Sequence, residues 1–469
     1  MLREQLVRDP SDREARSLLA RVLAWNRRFV ESTVEYERLL ADHPDDAFDR
    51  AGYARVLTWS GQIEQSLGEF RRAIAADSTN LEVRLDYARA LSWTGDLPGA
   101  SMEYRRILGV NPSQGDAWLG YATVARWRSG ATASDRFLTR AEANGAEPKA
   151  AGEERNAVRR ASGPSLGGGW ESARERQYVE GPDFTIESAG PYASGRVTIG
   201  RTADVTIRTA WLAQFERGDG GVLSYDLDTR LVRADLAFLR SYPFQVAGGV
   251  ESRLLQPGVA GVTYPLLGVG DFVGWNARAW WFLGRFTPSA GARRGFLPIK
   301  STSGPNEILV GHQTRLEATL AWQWSGRGSA TAGIERGGYS DGNVRGTVRG
   351  GTAYRIRVRN PVAALDYAFA FNDFDRTSAS YFTPLRGVLQ AAGLGISGYR
   401  DRSALSYGVR YQFSSLASDN FGGIRTSAWT VYLNGTALGS IGLGLDGSYS
   451  RDNNAYEIWS IGLHAAARW

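Results

Sequence analysis

At 469 residues the chain has room for two or three domains with sizeable cores. It has 0 cysteines, which excludes disulfides, thiolate chemistry and a lipid-modified cysteine anchor, and fits a reducing or an oxidising compartment equally. The formal net charge is +6, nearly every cation is an arginine (Lys149 and Lys300 are the lysines), and no apolar run is long enough for a transmembrane helix. The arginine excess reads first as a coding bias. A choice of bidentate donors for phosphate or an anionic glycan is the second reading, and nothing in it points to nucleic acid.

The first third repeats. Trp25, Trp59, Trp93 and Trp127 stand 34 residues apart, the period of helix-turn-helix units that stack into a solenoid. With units at 13–46, 47–80, 81–114 and 115–148, small residues recur at Ala20, Ala54, Ala88 and Ala122 and again at Ser32, Ser66, Ala100 and Ser134. A large residue follows the second set at Tyr36, Phe70, Tyr104 and Leu138. Small residues let the helices of a unit approach, and large ones fill the gap between units. Gly61 and Gly95 suit the turn between helices, and Pro10, Pro44 and Pro112 end units, with Ser78 in the corresponding place. These registers resemble the tetratricopeptide repeat over residues 1–148. The resemblance implies a surface for protein partners and a degenerate last unit, Ala131 to Ala146, serving as a cap. The four tryptophans are expected to pack between helices beside the turn, with a partner groove as the rival role.

The opening Met1-Leu2-Arg3-Glu4 lacks a basic segment followed by an apolar core, and residues 1–10 align with the ends of later units, 35–44 and 103–112. The expectation is a chain that opens on the second helix of a repeat, with upstream repeats and an export signal lost. Residues 149–167, rich in Ala, Gly, Glu and Arg with Pro164, read as a linker.

From 168 to the end the hydrophobic period becomes two. Trp429, Val431, Leu433 and Ala437 alternate with Thr430, Tyr432, Asn434 and Thr436; Leu316, Ala318, Leu320, Trp322 and Trp324 alternate with Arg315, Glu317, Thr319 and Gln323. A soluble sandwich alternates too. Three details favour lipid: aromatics at segment ends, short connections near 324–327, 358–361, 399–403 and 437–440 against long ones near 256–269, 298–308, 373–386 and 415–424, and a last strand ending on Trp469. Sixteen segments suit an antiparallel barrel wide enough for an aqueous lumen. The predicted fold class is thus α + β in two domains: a tetratricopeptide solenoid, then a transmembrane β-barrel of about 16 strands, in the outer membrane with a periplasmic N-terminal domain.

If the apolar set faces lipid, the interleaved set lines the lumen: Arg208, Asp226, Asp228, Arg230, Glu251, Arg253, Arg278, Trp280, Arg315, Glu317, Asp366, Arg410, Tyr432, Asp446 and His464. Mixed charges with aromatics suit a hydroxyl-rich sugar chain, while solvated ion pairs that stiffen the wall are the plainer role. No catalytic site, cofactor or metal is expected. Three histidines (His43, His312, His464) form no HExxH, there is no Walker loop or Gly-x-Ser-x-Gly elbow, and Asp226 and Asp228, two apart on one strand face, read as structural.

Repeats ahead of a barrel, the recurrent Leu57-Thr58-Trp59-Ser60-Gly61 and Leu91-Ser92-Trp93-Thr94-Gly95, and Tyr381-Phe382-Thr383-Pro384-Leu385-Arg386 in a long segment resemble the exopolysaccharide export porins of Gram-negative bacteria. Examples are the cellulose synthase operon C subunit and the poly-N-acetylglucosamine porin; YaiO-type barrels are also similar. The resemblance implies a barrel passing polysaccharide and repeats docking periplasmic or inner-membrane synthesis or modification proteins. It also implies recognition of the Trp469 end by the barrel insertion machinery. The rivals are a membrane-anchored scaffold with a non-conducting barrel and a soluble repeat–sandwich binding protein.

Overall fold

The computed structural model describes residues 2–177, 184–199, 203–217, 223–238, 243–257, 272–300, 308–358, 360–378, 383–400, 404–437, 441–454 and 456–468. The side chains of some further residues, Asp226 among them, lie outside this description, as do Tyr381, Phe382 and Trp469. Two compact units divide at residue 158.

The first unit is a run of helices: α1 (Leu2–Arg8), α2 (Arg13–Trp25), α3 (Phe29–Asp42), α4 (Ala47–Trp59), α5 (Ile63–Ala76), α6 (Leu81–Trp93), α7 (Leu97–Val110), α8 (Gly115–Ser129), α9 (Ala131–Ala143) and α10 (Pro148–Ser162). Each boundary has a local cause that recurs with the period. Asp12, Asp46 and Asn80 cap α2, α4 and α6 by accepting from the amides of Ala15, Asp49 and Val83. Gly61 and Gly95 take φ of 79° between the helices of a unit, and Arg27 takes φ of 59° at the same place. Ala20, Ala54, Ala88 and Ala122 are fully buried, as are Ser32, Ser66, Ala100 and Ser134, so the paired helices touch closely. The serine hydroxyls donate to the Ala20 and Ala54 carbonyls at 2.7 and 2.8 Å, which satisfies them inside that contact. Tyr36, Phe70, Tyr104 and Leu138 fill the space beyond. Burial pushes the Tyr36 and Tyr104 phenols up to about 12, so both stay neutral.

The segment expected as a linker is a helix for most of its length. Glu147 accepts from the amides of Lys149 and Ala150, Pro148 opens α10 without needing a donor, and Ala151, Glu154 and Val158 lie buried along one face. Arg126 of α8 holds Glu154 at 2.7 Å, so α10 packs on the last repeat.

The second unit is a closed antiparallel barrel of, among the described residues, sixteen strands: β1 (Ser165–Gln177), β2 (Phe184–Ile199), β3 (Ala203–Arg217), β4 (Leu223–Phe238), β5 (Phe244–Pro257), β6 (Phe272–Trp281), β7 (Phe286–Lys300), β8 (Ile308–Gln323), β9 (Gly328–Tyr339), β10 (Val344–Arg357), β11 (Val362–Phe374), β12 (Gly387–Arg400), β13 (Leu405–Ala417), β14 (Ile424–Ala437), β15 (Ile441–Asp452) and β16 (Tyr456–Arg468). Each strand pairs with its sequence neighbours, and β1 closes on β16 from Ser165↔Arg468 to Gln177↔Tyr456. No ladder edge is left open, the condition for crossing lipid. Where β1 starts and β16 ends, successive strands follow one another closely in sequence, as between β6 and β7 or β8 and β9; the widest sequence gaps, between β5 and β6 and between β11 and β12, separate strand ends at the other rim.

Most strands carry one face that is exposed yet largely apolar, for example Ile207, Val250, Leu316, Ile334, Leu394 and Leu463. Most aromatics on that face form two belts. Phe238, Phe244, Trp281, Phe286, Trp322 and Tyr407 stand by the short turns, with Phe286 stacked on Trp322 at 6.1 Å. Trp275, Phe371, Phe413, Trp429 and Tyr449 stand towards the other rim. Aromatics gathered towards both rims of a mainly aliphatic face, with Trp211, Tyr367 and Phe369 nearer its middle, match the two interfaces of a bilayer.

Three stability outcomes follow. Phe70→Ala is expected to cost about 3–5 kcal/mol in helix unfolding, followed by circular dichroism. Arg27→Gly is expected to stabilise the same transition by about 0.5–1 kcal/mol by relieving a left-handed non-glycine residue. Leu316→Arg, at the waist of β8, is expected to cost about 2–4 kcal/mol in reversible folding into lipid vesicles, against almost nothing for a soluble sandwich surface.

Candidate functional site

The interleaved face of the barrel carries charge held in place by glycine. Side chains two strands apart must reach across roughly 9–10 Å of sheet, twice the strand spacing, and over the residue between them. On the concave side of a cylinder they converge, and glycine removes the obstacle. Asp366 of β11 receives Arg410 of β13 at 2.6 Å over Gly393 of β12, where an added Cβ would sit 2.7 Å from Asp366 Oδ1. His464 of β16 meets Asn434 of β14 at 3.0 Å over Gly444 of β15, where a Cβ would sit 1.9 Å from His464 Nε2. Glu317 of β8 takes Arg349 of β10 at 2.9 Å over Gly333 and Arg278 of β6 at 3.5 Å over Gly291. Asn276 donates to Asp235 at 3.4 Å over Gly249. Bonds that the backbone ladder does not make thus tie β4, β6, β8 and β10 in a row, β11 to β13 and β14 to β16.

The other expected residues fall into two groups. Arg208 bonds Glu171 of β1 at 2.7 Å and lies 4.3 Å over the Tyr192 ring between them. Arg253 bonds Glu251 at 2.6 Å, Arg315 approaches Glu335 at 3.8 Å, and His464 lies 3.5 Å from Asp446. Tyr432 shares a register row with Gly408 and Asp446, and Trp280 lies in the same alternate set as Asn276 and Arg278. Strand β4 has the opposite phase to the one expected. Arg230 sits 4.9 Å over the Trp211 ring on the lipid-type face, and Asp228 pairs with Ala213 on that face. Asp226 occupies the matching alternate position, opposite Phe215, but its side chain is outside the described residues. The cause is an apolar inner patch: Leu231 and Leu255 are buried on the inner face beside Ala210, so leucine there does not mark lipid.

Sequence reasoning missed Glu171, Arg233, Asp235, Arg293, Glu335, Arg345 and Arg349. The signal was present in 345–349, where Arg345, Thr347 and Arg349 alternate with Gly346 and Val348 and pair with Gly337, Glu335 and Gly333.

In the solenoid the four tryptophans do not pack between helices. Trp25, Trp59, Trp93 and Trp127 are 68, 47, 57 and 45 % exposed, at or near the ends of α2, α4, α6 and α8, so they form an exposed ladder with one rung per repeat. The repeats are instead tied by arginines with the same period. Arg16 bonds Glu35 at 2.7 Å, Arg50 bonds Glu69, and Arg84 bonds Glu103 at 2.7 Å; each arginine also donates to the carbonyl six residues before it, of Pro10, Pro44 and Ser78. Among the described residues no cluster of His, Asp or Glu could hold a metal ion.

No known family model matches the chain, and no curated protein does. Solved structures do. One titled "Bacterial polysaccharide outer membrane secretin" aligns over 66% of this chain and 99% of its own at 12% identity and a TM-score of 0.47. YrrB, titled a tetratricopeptide protein "with an unusual peptide-binding site", aligns over 33% of this chain and 80% of its own at 17% identity and a TM-score of 0.30. PilF of Pseudomonas aeruginosa covers 34% of this chain and 72% of its own at 18% identity and a TM-score of 0.30.

Two substitutions separate the roles of glycine. Gly393→Ala meets only the tip of Asp366 and is expected to leave the barrel folded, at a cost of about 1 kcal/mol or less. Gly190→Ala would place a Cβ 1.7 Å from the Trp211 carbonyl oxygen and is expected to block the heat-dependent gel shift of the folded barrel. Trp59→Ala, at an exposed site, should change helix stability by less than about 1 kcal/mol.

Proposed function

We propose that this protein is an outer-membrane porin that passes a polysaccharide outward without covalent chemistry. The observation that carries the reading is the pairing, on one closed sixteen-strand wall, of an apolar belted exterior with a charged interior. A barrel of this size encloses water. Its inner arginines, carboxylates, Tyr432 and Trp280 offer a sugar chain hydrogen bonds and stacking faces from several heights. Short turns and the two ends of the barrel chain belong, in this reading, on the periplasmic side. The repeats then recruit periplasmic or inner-membrane proteins that make or modify the polymer, and the Trp469 end addresses the insertion machinery.

The exposed tryptophan ladder favours a second reading, a membrane-anchored scaffold whose barrel does not conduct. Planar-bilayer recordings separate them. The export reading predicts stepwise conductance interrupted by added polysaccharide, whereas a scaffold leaves the bilayer silent although the barrel is inserted.

A further inference from the structure

We propose that the β4–β10 wall of the lumen is a track for the acidic groups of a carboxylate-bearing glycan. This rests on the export reading and specifies the class of polymer.

The numbers of opposite charges are unequal. Among the described residues four carboxylates stand on this wall, and each is already shared. Asp235 is held by Arg233 at 2.6 Å and by Asn276; Glu251 by Arg253 at 2.6 Å, with Arg233 at 4.0 Å. Glu317 serves both Arg349 and Arg278, and Glu335 both Arg345 and Arg315. Six arginines therefore use four carboxylates. Arg293 is a seventh, exposed, with no carboxylate within ion-pair range among the described residues. Its register partner across β7 and β8 is Arg315, and Arg208 and Arg233 are likewise opposite each other on β3 and β4. Like charges directly opposite repel, so an anion placed between them would be stabilised at once by two guanidinium groups.

There is space for it. A cavity of about 610 Å³ is bordered by Arg278, Arg293 and Arg315 together with Glu317 and Arg349. Arg278 keeps 52 % of its side chain exposed there, and its nearest carboxylate is at 3.5 Å. Guanidinium forks match a carboxylate better than a hydroxyl does, and they remain charged at any working pH. Among the described residues the facing strands show no such surplus: Asp366 with Arg410, Glu171 with Arg208 and Asp446 with His464 are matched or acidic. A chain with an acid on each or every other sugar would therefore run along one wall, handed between several weak sites, so that it enters without lodging.

The test uses the full chain in detergent, titrated calorimetrically with three oligosaccharides of equal length: oligogalacturonate, neutral cello-oligosaccharide and glucosamine oligomer. Oligogalacturonate is expected to bind at least about tenfold more tightly than either other, with affinity falling as salt rises, and Arg293→Gln with Arg278→Gln to weaken it about tenfold. The single Arg293→Gln variant, with the heat-dependent gel shift as a check of folding, gives the same direction if the double variant fails to fold. Equal binding of the neutral oligomer, preference for the cationic one, or indifference to Arg293→Gln overturns the inference. Conductance of the same preparation reports separately on the export reading: a conducting barrel without acid preference removes this inference alone, and a silent barrel removes the reading on which it rests.

Discussion

Everything in the second unit depends on the bond between the first strand and the last. A peptide group in hydrocarbon has no water to bond, so a sheet in lipid must either close or hide its edges. The antiparallel ladder from Ser165↔Arg468 to Gln177↔Tyr456 does the closing, joining residues about three hundred positions apart. Once that seam exists, alternation decides the rest. Each residue faces either lipid or lumen, and a one-residue slip of any strand would exchange the two faces.

The interior solves a second problem. A wide ring of strands enclosing water lacks the packed core that stiffens a small barrel. Here stiffness is supplied by bonds that skip a strand, from Arg410 to Asp366, Asn434 to His464, and Arg278 and Arg349 to Glu317, each passing over a glycine. The same bonds hold charged groups in water at fixed heights, where a passing polymer can meet them. The solenoid uses a parallel device: its period-34 arginines reach both a glutamate on the next helix and a carbonyl six residues back, which fixes the pitch while the tryptophans stay outside.

Both periods could be read directly. The 34-residue spacing of Ala20, Ala54, Ala88 and Ala122 marks buried contact because only small residues fit there, and alternation in β14 and β16 marks their faces cleanly. What misled was burial without a second signal. Trp59 looks like core by type, yet a helix end places it in solvent. Leu231 and Leu255 look like lipid contacts, yet they sit inside, which reversed the reading of Asp228 and Arg230. The segment after Pro148 looked like a linker because alanine, glycine and arginine dominate it, whereas Ala151, Glu154 and Val158 at helical spacing, met by Arg126, make it a helix. The glycine-bridged pairs were unreadable in one dimension, since their members lie on strands that are not sequence neighbours.

The central claim is a closed wall with lipid on one face and water on the other. The absence of cysteine makes it directly accessible, since single cysteines can be placed one at a time along β14. Vesicle-embedded protein with cysteine at 430, 432 or 434 should react with a water-soluble, membrane-impermeant maleimide, and protein with cysteine at 429, 431 or 433 should not. Uniform protection of the even positions would mean a dry interior, and uniform labelling of all six would mean no lipid contact; either contradicts the account.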